Sequence, residues 1–239
     1  MLANTDGALA EILEDKQKTY EYVETVLPSI LPTYRIAHSA AEFAAAYEAL
    51  SQAGERVCYK LTRDEGARSF RVIDNSLTGA KAIYEKPGSK ISYQDALAVM
   101  QGYSFEIPVL LMPYLDGLEI SVDCLKTAQG NLIIPRYKMN KRYSEIRFNQ
   151  SVMDECARLL QAMPCEMPVN IQFKMKEGKP YLLEMNPRMS GGLQLSCKAT
   201  QINLPSLALK KLLGKPCKWA YPSQDNAKVV HVETPVCLD

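Results

Sequence analysis

The sequence predicts an α+β protein whose sheets are mainly antiparallel. Segments with apolar residues at helical spacing are interspersed with short runs that resemble strands, and several of these runs are separated only by a short turn. Strands joined by short turns are antiparallel, because parallel neighbours need a crossover of a dozen or more residues. A simple doubly wound parallel sheet is therefore disfavoured. The sequence contains no evident internal repeat.

In the first half of the chain, helices are predicted at 8–26, 39–50 and 92–101, and strands at 56–61, 70–73 and 107–115. The first of these helices carries apolar side chains three and four residues apart among charged ones, which is the pattern of an amphipathic helix. Ser39 stands where the second helix begins, and its hydroxyl can accept a hydrogen bond from an N–H of the first turn. Pro28 and Pro32 end the first helix and lead into a short extended piece.

In the second half, a strand pair is predicted at 118–127 and 132–139, a β-hairpin at 169–187, helices at 151–163 and 204–214, and a last strand at 229–233. Ser151 is expected to open the first of these helices as its N-cap. Gly214 is expected to close the second, because glycine readily adopts the left-handed conformation found after helices. The hairpin has the clearest strand alternation in the chain.

The composition places the chain among ordinary globular proteins. It has 28 lysines and arginines against 27 aspartates and glutamates, and 47% of its 239 residues are hydrophobic. This balance argues against a disordered chain and against a nucleic-acid or anionic-membrane partner. The longest apolar stretch, 107–115, is too short to span a membrane, and no secretory signal opens the sequence. We expect a cytoplasmic protein.

Cysteine and histidine give no sign of a metal centre or a histidine-based triad. The seven cysteines contain no CxxC pair, so each is interpreted as a small apolar residue in a reducing compartment. The two histidines, His38 and His231, lie far apart and outside any motif. Catalysis is therefore expected to depend on carboxylates, amides, lysine and arginine.

The hairpin at 169–187 groups several oxygen-bearing side chains. If its apolar residues share one core, a three-residue loop centred on Gly178 places Gln172 directly opposite Glu184. Asn186 follows on the same face, and Arg188 flanks it. Hard cations such as Mg²⁺ prefer such an oxygen set, completed by water and phosphate. The alternative is a solvated polar sheet face, which is the commoner role of a single Glu or Asn.

The run LLEMNPRMSGG, preceded by NIQF and followed by SCKAT, resembles the ATP-grasp superfamily, and most closely its carbamoyl phosphate synthetase-like carboxylate–amine ligases. The resemblance covers about residues 15–215. It implies an ATP-grasp fold of two α/β lobes, 1–112 and 113–239, with the nucleotide between them. It also implies that Mg²⁺, or Mn²⁺ in its place, is held against the ATP phosphates by Gln172, Glu184 and Asn186. Arg188 would then steady the transferred phosphoryl group or acyl phosphate.

Two segments of the first lobe resemble the phosphate-binding parts of this superfamily. EDKQKTYEYV resembles its Asp-Lys helix, which implies that Lys16 reaches the nucleotide phosphates. VCYKLTRDEGARSFRVI resembles the strand, lysine and covering loop, which implies that Lys60 is the second phosphate lysine. The covering loop of the family is usually glycine-rich, so that backbone N–H groups can approach phosphate. Here it has one glycine, Gly66.

The segment LMPYLDGLEISVD resembles the adenine hinge. The resemblance implies that the Pro113 carbonyl accepts from the adenine amino group and that the Leu115 N–H donates to the ring. Glu119 would accept the ribose hydroxyls. In the family a basic residue near Arg136 approaches the γ-phosphate or the substrate. Taken singly, each of these charged residues could instead be a solvated side chain.

The combined motifs predict an ATP- and Mg²⁺-dependent ligase that activates a small carboxylate as an acyl phosphate for attack by an amine or a similar nucleophile. Family ligases carry another α/β domain before the Asp-Lys helix, whereas this sequence begins about fifteen residues before it. The alternative is therefore an Mg-ATP-binding module that lacks a complete active site of its own. It would be one part of a split enzyme that needs a partner chain, a piece of a longer protein that has a preceding domain, or a degenerate regulatory protein. A third alternative is a globular domain that binds no nucleotide. A homo-oligomer is compatible with the ligase and with the Mg-ATP-binding module.

Overall fold

The structure is a computed structural model that describes residues 7–64, 67–77, 88–139, 143–163, 165–223 and 226–232. In these ranges the α-helices are α1 (Gly7–Glu14), α2 (Lys16–Val26), α3 (Ala40–Gln52), α4 (Tyr93–Gln101), α5 (Gln150–Ala162), α6 (Leu193–Thr200) and α7 (Leu204–Leu212). A short 3₁₀ helix spans Pro28–Ile30. Within the same ranges, no helix has the length and apolar character that crossing a membrane requires.

The strands form two sheets. They are β1 (Arg35–Ala37), β2 (Val57–Leu61), β3 (Arg71–Ile73), β4 (Lys90–Ile91), β5 (Val109–Pro113), β6 (Glu119–Thr127), β7 (Gly130–Met139), β8 (Tyr143–Arg147), β9 (Val169–Lys176), β10 (Lys179–Asn186) and β11 (Asn226–Val229). Apart from the parallel β3–β4 pair, all paired strands in the described residues are antiparallel. The predicted mainly antiparallel α+β character is confirmed.

The chain divides into two compact units. The five-stranded unit comprises Asp15–Glu24 and Leu31–Leu115, and its sheet has the order β1-β5-β2-β3-β4. Its core packs α3 and α4 against the sheet around Phe43, which meets Tyr59 edge to face at 5.3 Å. The predicted first lobe, 1–112, includes most of this unit, but Met1–Glu14 and Thr25–Ile30, which it also includes, belong to the other unit.

The six-stranded unit comprises Met1–Glu14, Thr25–Ile30 and Asp116–Asp239, and its sheet has the order β10-β9-β6-β7-β8-β11. At one end of this sheet, α6 and α7 pack their leucines on apolar residues of β6, β7 and β8. On the same sheet face, β6 continues toward its start with polar side chains, because alternate residues of a strand share a face. The candidate metal ligands lie on this polar part.

The predictions for three elements need correction. The single helix predicted at 8–26 is two helices, because Asp15 interrupts it and caps α2: its carboxylate accepts from the backbone N–H groups of Gln17 and Lys18. The N-cap of α5 is Asn149 rather than Ser151, and its side chain accepts from the Val152 N–H. The last strand is Asn226–Val229, which shares only its final residue with the predicted strand.

The cysteines described in the structure are thiols, as expected from a sequence without CxxC pairs. Cys58, Cys124, Cys156 and Cys165 are buried, while Cys197 and Cys217 are half-buried. Burial raises the pKa of the Cys124 thiol well above its ordinary value. Such a thiol behaves as a small apolar core residue. Cys237 lies outside the described residues.

Candidate functional site

The hairpin of β9 and β10 brings Gln172 and Glu184 directly opposite each other, which confirms their predicted pairing. The predicted three-residue loop is wrong, however. Lys176 pairs with Lys179, so the turn contains only two residues, Glu177 and Gly178. Both have positive φ, 52° and 79°, as a type I′ turn requires. This turn matches the twist of the two strands, which explains why it replaces the longer loop.

A β-bulge at Leu183 restores the register that the short turn shifts by one residue. Leu182 pairs with Phe173, and the next paired residue on β10 is Glu184. Between the turn and the bulge, the shifted register turns the other face of β10 toward the core. Leu182 is therefore buried, whereas Leu183 is half-buried. Beyond the bulge, Met185 is buried and Asn186 lies opposite Asn170.

The three predicted metal ligands lie together on neighbouring strands and are all half-buried. The Gln172 Nε2 donates to Asn170 Oδ1 at 3.2 Å, and the Asn186 Nδ2 donates to Glu184 Oε1 at 3.2 Å. With both amide nitrogens used as donors, the amide oxygens are the ligand atoms that Gln172 and Asn186 can offer. One carboxylate and two amide oxygens suit Mg²⁺, which keeps several water or phosphate ligands.

This set is not an acidic cluster. Among the described residues, no group of three or more His, Cys, Asp and Glu side chains could hold a metal ion. A site with one carboxylate binds a hard cation weakly by itself, because few negative ligands face the ion. The residues therefore fit a cation that arrives with phosphate better than a cation held by the protein alone.

Arg136 lies on the same face of the sheet, two strands from the hairpin. Ser121 is the residue between them, since it pairs with Arg136 on one side and with Gln172 on the other. The Arg136 Nη2 donates to Ser121 Oγ at 3.1 Å and to Ser190 Oγ at 3.4 Å. Burial lowers the pKa of Arg136, and the carboxylates of Asp123 and Glu119 oppose this effect.

The Arg136 guanidinium is held by a close packing contact. A Cβ added to Gly192 would lie 2.4 Å from the Arg136 Cζ, so a larger residue there would displace the guanidinium. Arg136 is 4% exposed, and its Nε has no hydrogen-bond partner among the described residues. An unpaired buried donor costs about 1–3 kcal/mol. The guanidinium thus retains a donor that an added acceptor would satisfy.

Arg188 lies just beyond β10 and is exposed. Its backbone N–H donates to the Asn186 carbonyl at 2.7 Å, which fixes the chain immediately after the predicted ligand. Its Nη1 donates to the Met189 carbonyl at 3.2 Å. Arg188 is therefore near Asn186 in the fold and open to a ligand in solution.

A buried polar network next to Gln172 was not predicted as part of the site. Asn170, Asp123 and Ser196 are between 0% and 2% exposed. The Ser196 hydroxyl donates to Asp123 Oδ2 at 2.7 Å, and the Asn170 Nδ2 approaches Asp123 Oδ1 at 3.3 Å. In the sequence, Asp123 looks like one polar position of a half-exposed strand. Its burial comes from α6, which no strand periodicity reveals.

Glu119 begins β6 and pairs with Lys174 on β9. Its carboxylate also forms a salt bridge with Lys138. Lys138, on the neighbouring strand β7, is thus the side-chain partner of this carboxylate. An exposed ion pair of this kind contributes only about 0–1 kcal/mol, and a hydroxyl ligand can compete with it.

In the five-stranded unit, Lys16 is the first residue of α2 and is 8% exposed. Its backbone N–H donates to the Thr62 carbonyl at 2.8 Å, and its Nζ donates to the Asp64 carbonyl at 3.3 Å. The neighbouring Asp15 forms an ion pair with Arg63 at 2.9 Å. Lys16 is therefore anchored to the segment that follows Lys60.

Lys60 lies half-buried on β2, opposite Leu110 on β5. The segment after it is organised by Asp64, whose Oδ2 accepts from the backbone N–H and the hydroxyl of Ser69 at 2.7 and 2.6 Å. The Ser69 hydroxyl in turn accepts from the Leu61 N–H at 2.9 Å. Gly66, the predicted loop glycine, lies outside the described residues.

The predicted hinge residues follow β5. Pro113 is the last residue of β5 and pairs with Val57 on β2. Proline has no N–H to donate between these strands, but the hydrogen bonding continues through the next residue, Tyr114. The Tyr114 N–H donates to the Arg56 carbonyl at 2.6 Å, and the Arg56 guanidinium stacks 3.9 Å above the Tyr114 ring. Leu115 is 3% exposed. The backbone around both predicted adenine contacts is therefore fixed.

Two curated relatives are carbamoyl phosphate synthase large chains. The protein from Thermoanaerobacter pseudethanolicus is 32% identical over 127 residues, which cover 46% of this chain and 12% of that protein. The protein from Archaeoglobus fulgidus is 27% identical over 227 residues, which cover 86% of this chain and 19% of that protein. This chain thus spans a small part of the relatives that it matches.

The fold is also found in solved ligase structures. A carboxyaminoimidazole ribonucleotide synthase from Aspergillus clavatus, crystallised with ATP, matches with a TM-score of 0.67 at 14% identity, covering 90% of this chain and 54% of that one. At this identity the likeness shows the fold alone. A family model described as "ATP-grasp in the biosynthetic pathway with Ter operon" matches residues 105–235, which is more than half of the chain. The chain therefore belongs to this ATP-grasp family.

Proposed function

We propose that the protein is an ATP- and Mg²⁺-dependent ligase that forms a C–N bond between a small carboxylate and an amine or similar nucleophile. A carboxylate oxygen attacks the γ-phosphorus of ATP, the bond from that phosphorus to the bridging oxygen breaks, and ADP leaves. The nucleophile then attacks the acyl carbon and phosphate leaves. Neither step needs a protein nucleophile, so positioning and charge neutralisation are the roles left to the side chains.

The proposal gives each predicted residue a role that suits its chemistry. Gln172, Glu184 and Asn186 hold the Mg²⁺ ion by their oxygens, and the bound ion neutralises phosphate charge. Arg136 and Arg188 then contact the transferred phosphoryl group or the acyl phosphate. Guanidinium groups suit this task, since their planar donors match phosphate oxygens.

The nucleotide contacts of the proposal involve the other predicted residues. Lys16 and Lys60 bind phosphates, and Gly66 belongs to the loop that covers them. The Pro113 carbonyl and the Leu115 N–H recognise adenine, and Glu119 accepts the ribose hydroxyls. The carbonyl is the group that a proline can still offer at such a position.

The observation that carries the proposal is the pairing of Gln172 with Glu184, with Asn186 two residues further along β10. A solvated polar face needs no particular register. Here a turn and a bulge together bring one carboxylate and two amides into one cluster, as a phosphate-bound cation requires.

The test is release of ADP from Mg-ATP by the full chain in the presence of paired carboxylates and amines. The ligase proposal predicts release that depends on one carboxylate and rises further with one amine. Saturable Mg-ATP binding, measured by thermal shift, without release across a broad panel would favour the Mg-ATP-binding module instead. A ligand at 100 times its Kd stabilises a protein by about 2.7 kcal/mol, so binding is measurable in this way.

A further inference from the structure

A chain of hydrogen bonds runs from α6 to the predicted metal ligand Gln172. It begins at the Ser196 hydroxyl, which donates to Asp123 Oδ2, and it continues from Asp123 Oδ1 to the Asn170 Nδ2. It ends where the Asn170 Oδ1 accepts from the Gln172 Nε2. Two of its members, Asn170 and Gln172, are amides, which can be turned by half a rotation without any change of shape.

The orientation of the Asn170 amide is set by three neighbours, two of which can only accept. Its Nδ2 donates to the Ser121 hydroxyl oxygen at 2.9 Å, and it faces the Val122 carbonyl at 3.1 Å and the Asp123 carboxylate at 3.3 Å. Neither the carbonyl nor the carboxylate can donate a hydrogen bond, so the reversed amide would place its oxygen against two acceptors. The side chain is 1% exposed, and no bulk water would relieve that repulsion.

This fixed amide in turn orients Gln172. The Asn170 Oδ1 accepts only, so Gln172 must direct its nitrogen toward Asn170 and its oxygen elsewhere. A metal ion can bind the oxygen of an amide but not its NH₂ group. The position of the Gln172 oxygen therefore depends on residues that do not contact the metal.

We infer that Asp123, held by Ser196 and acting through Asn170, is a positioning residue that makes Gln172 present its oxygen to the metal. The inference rests on the proposed function, because it takes Gln172 as a ligand. Partners that orient a metal ligand without contacting the metal typically contribute about 10–100-fold to metal affinity.

The test is a double-mutant cycle on Mn²⁺ binding in the presence of a non-hydrolysable ATP analogue, followed by electron paramagnetic resonance of unbound Mn²⁺. The variants are Asp123→Ala and Gln172→Glu, alone and combined. In the chain with Gln172, Asp123→Ala should weaken Mn²⁺ binding about tenfold or more, because only the Val122 carbonyl then opposes reversal of the Asn170 amide. A carboxylate has two equivalent oxygens, so with Gln172→Glu the same change should cause no loss.

A purely structural role for Asp123 predicts a different pattern, namely an equal loss in both backgrounds, and that result would overturn the inference. Unchanged Mn²⁺ affinity on Asp123→Ala would overturn it as well. If the unmodified protein binds no Mn²⁺ with the analogue, the proposed function fails first. The two failures are thus distinguishable.

Removing a buried carboxylate can also unfold a protein, so a second variant is needed. Asn170→Ala removes the acceptor of Gln172 without removing a charge, and it should show the same loss with Gln172 and a smaller one with Gln172→Glu. Glu145→Ala is the matched control. Glu145 is a buried carboxylate of β8 that pairs with Arg147, so its loss should leave Mn²⁺ binding unchanged.

Discussion

Gly192 packs so tightly against Arg136 that a Cβ at residue 192 would lie 2.4 Å from the guanidinium carbon. The guanidinium is the end of a long side chain, so it can move away from an added methyl group. Gly191, its neighbour, has nothing within 4 Å of the corresponding position. The two glycines therefore form a matched pair for testing whether the position of Arg136 matters.

Gly192→Ala is expected to lower the rate of ADP release about 100-fold while changing stability by less than about 1 kcal/mol. A displacement of about 1 Å at a reacting centre can have this effect on rate, and an added methyl group that meets only the flexible end of a side chain costs little stability. Rates and urea unfolding curves check both parts. Gly191→Ala should match the unmodified protein, and equal rates for both variants would count against a role for Arg136.

Glu184→Ala is expected to reduce Mg²⁺-dependent ATP turnover by about 100-fold or more, since it removes the one carboxylate of the predicted ligand set. The protein should remain folded, because Glu184 is only half-buried. Circular dichroism and ADP release measure the two effects. Glu177→Asn serves as the control, since it removes a carboxylate from the same hairpin and asparagine tolerates the positive φ of that turn residue. Full turnover in the Glu184 variant would make the metal assignment wrong.

Gly117→Ala is expected to destabilise the protein by about 1–3 kcal/mol or more. A Cβ at residue 117 would lie 1.7 Å from the Met175 carbonyl oxygen, and both groups belong to backbone that cannot move alone. The Met175 N–H also bonds to the Leu118 carbonyl, which holds the two segments together. Gly102→Ala is the comparison, with its nearest atom at 3.8 Å, and should stay within about 0.5 kcal/mol in chemical denaturation. Equal stability of the two variants would refute the close approach.

Asp74 is expected to titrate well below an ordinary aspartate. Hydrogen bonds from Ser76, followed by the contact with Lys90, lower the pKa of Asp74 to about 2. Its pKa is lower in the folded than in the unfolded chain, so its contribution to stability is present above about pH 4 and is lost as the pH falls toward 2. Carbon NMR of the carboxyl group measures the midpoint. Ser76→Ala should raise this pKa more than Lys90→Ala does, and an ordinary midpoint in the unmodified protein would contradict the contacts.

The sequence was sufficient to predict the pairing of Gln172 with Glu184 at the centre of the candidate site. It was insufficient to predict the two-residue turn and the β-bulge of the hairpin. Alternation of apolar and polar residues predicted Gln172 opposite Glu184, because one face of each strand had to be buried. The two-residue turn and the bulge at Leu183 each shift the register by one residue, and the two shifts cancel. A bulge leaves no periodic signal, since its effect is to interrupt the period.

The buried network around Asp123 could not be predicted for a different reason. Ser121 and Asp123 alternate with apolar residues as they would on a solvated strand, and only the tertiary packing of α6 excludes water from them. The same limit applies to Arg136, whose neighbour Gly192 lies 56 positions further along the chain. Long-range contacts of this kind set burial, and burial decides whether a polar side chain is structural or functional.

The central claim is that a carboxylate is activated by transfer of the γ-phosphoryl group of ATP. The most direct measurement uses a carboxylate that supports ADP release, labelled with ¹⁸O in its carboxyl group, and follows the phosphate by mass spectrometry. Acyl phosphate formation predicts that the phosphate released after attack by the nucleophile carries one ¹⁸O atom from the carboxylate. Unlabelled phosphate, formed together with ADP at the same rate, would show that water attacks ATP and would contradict the account.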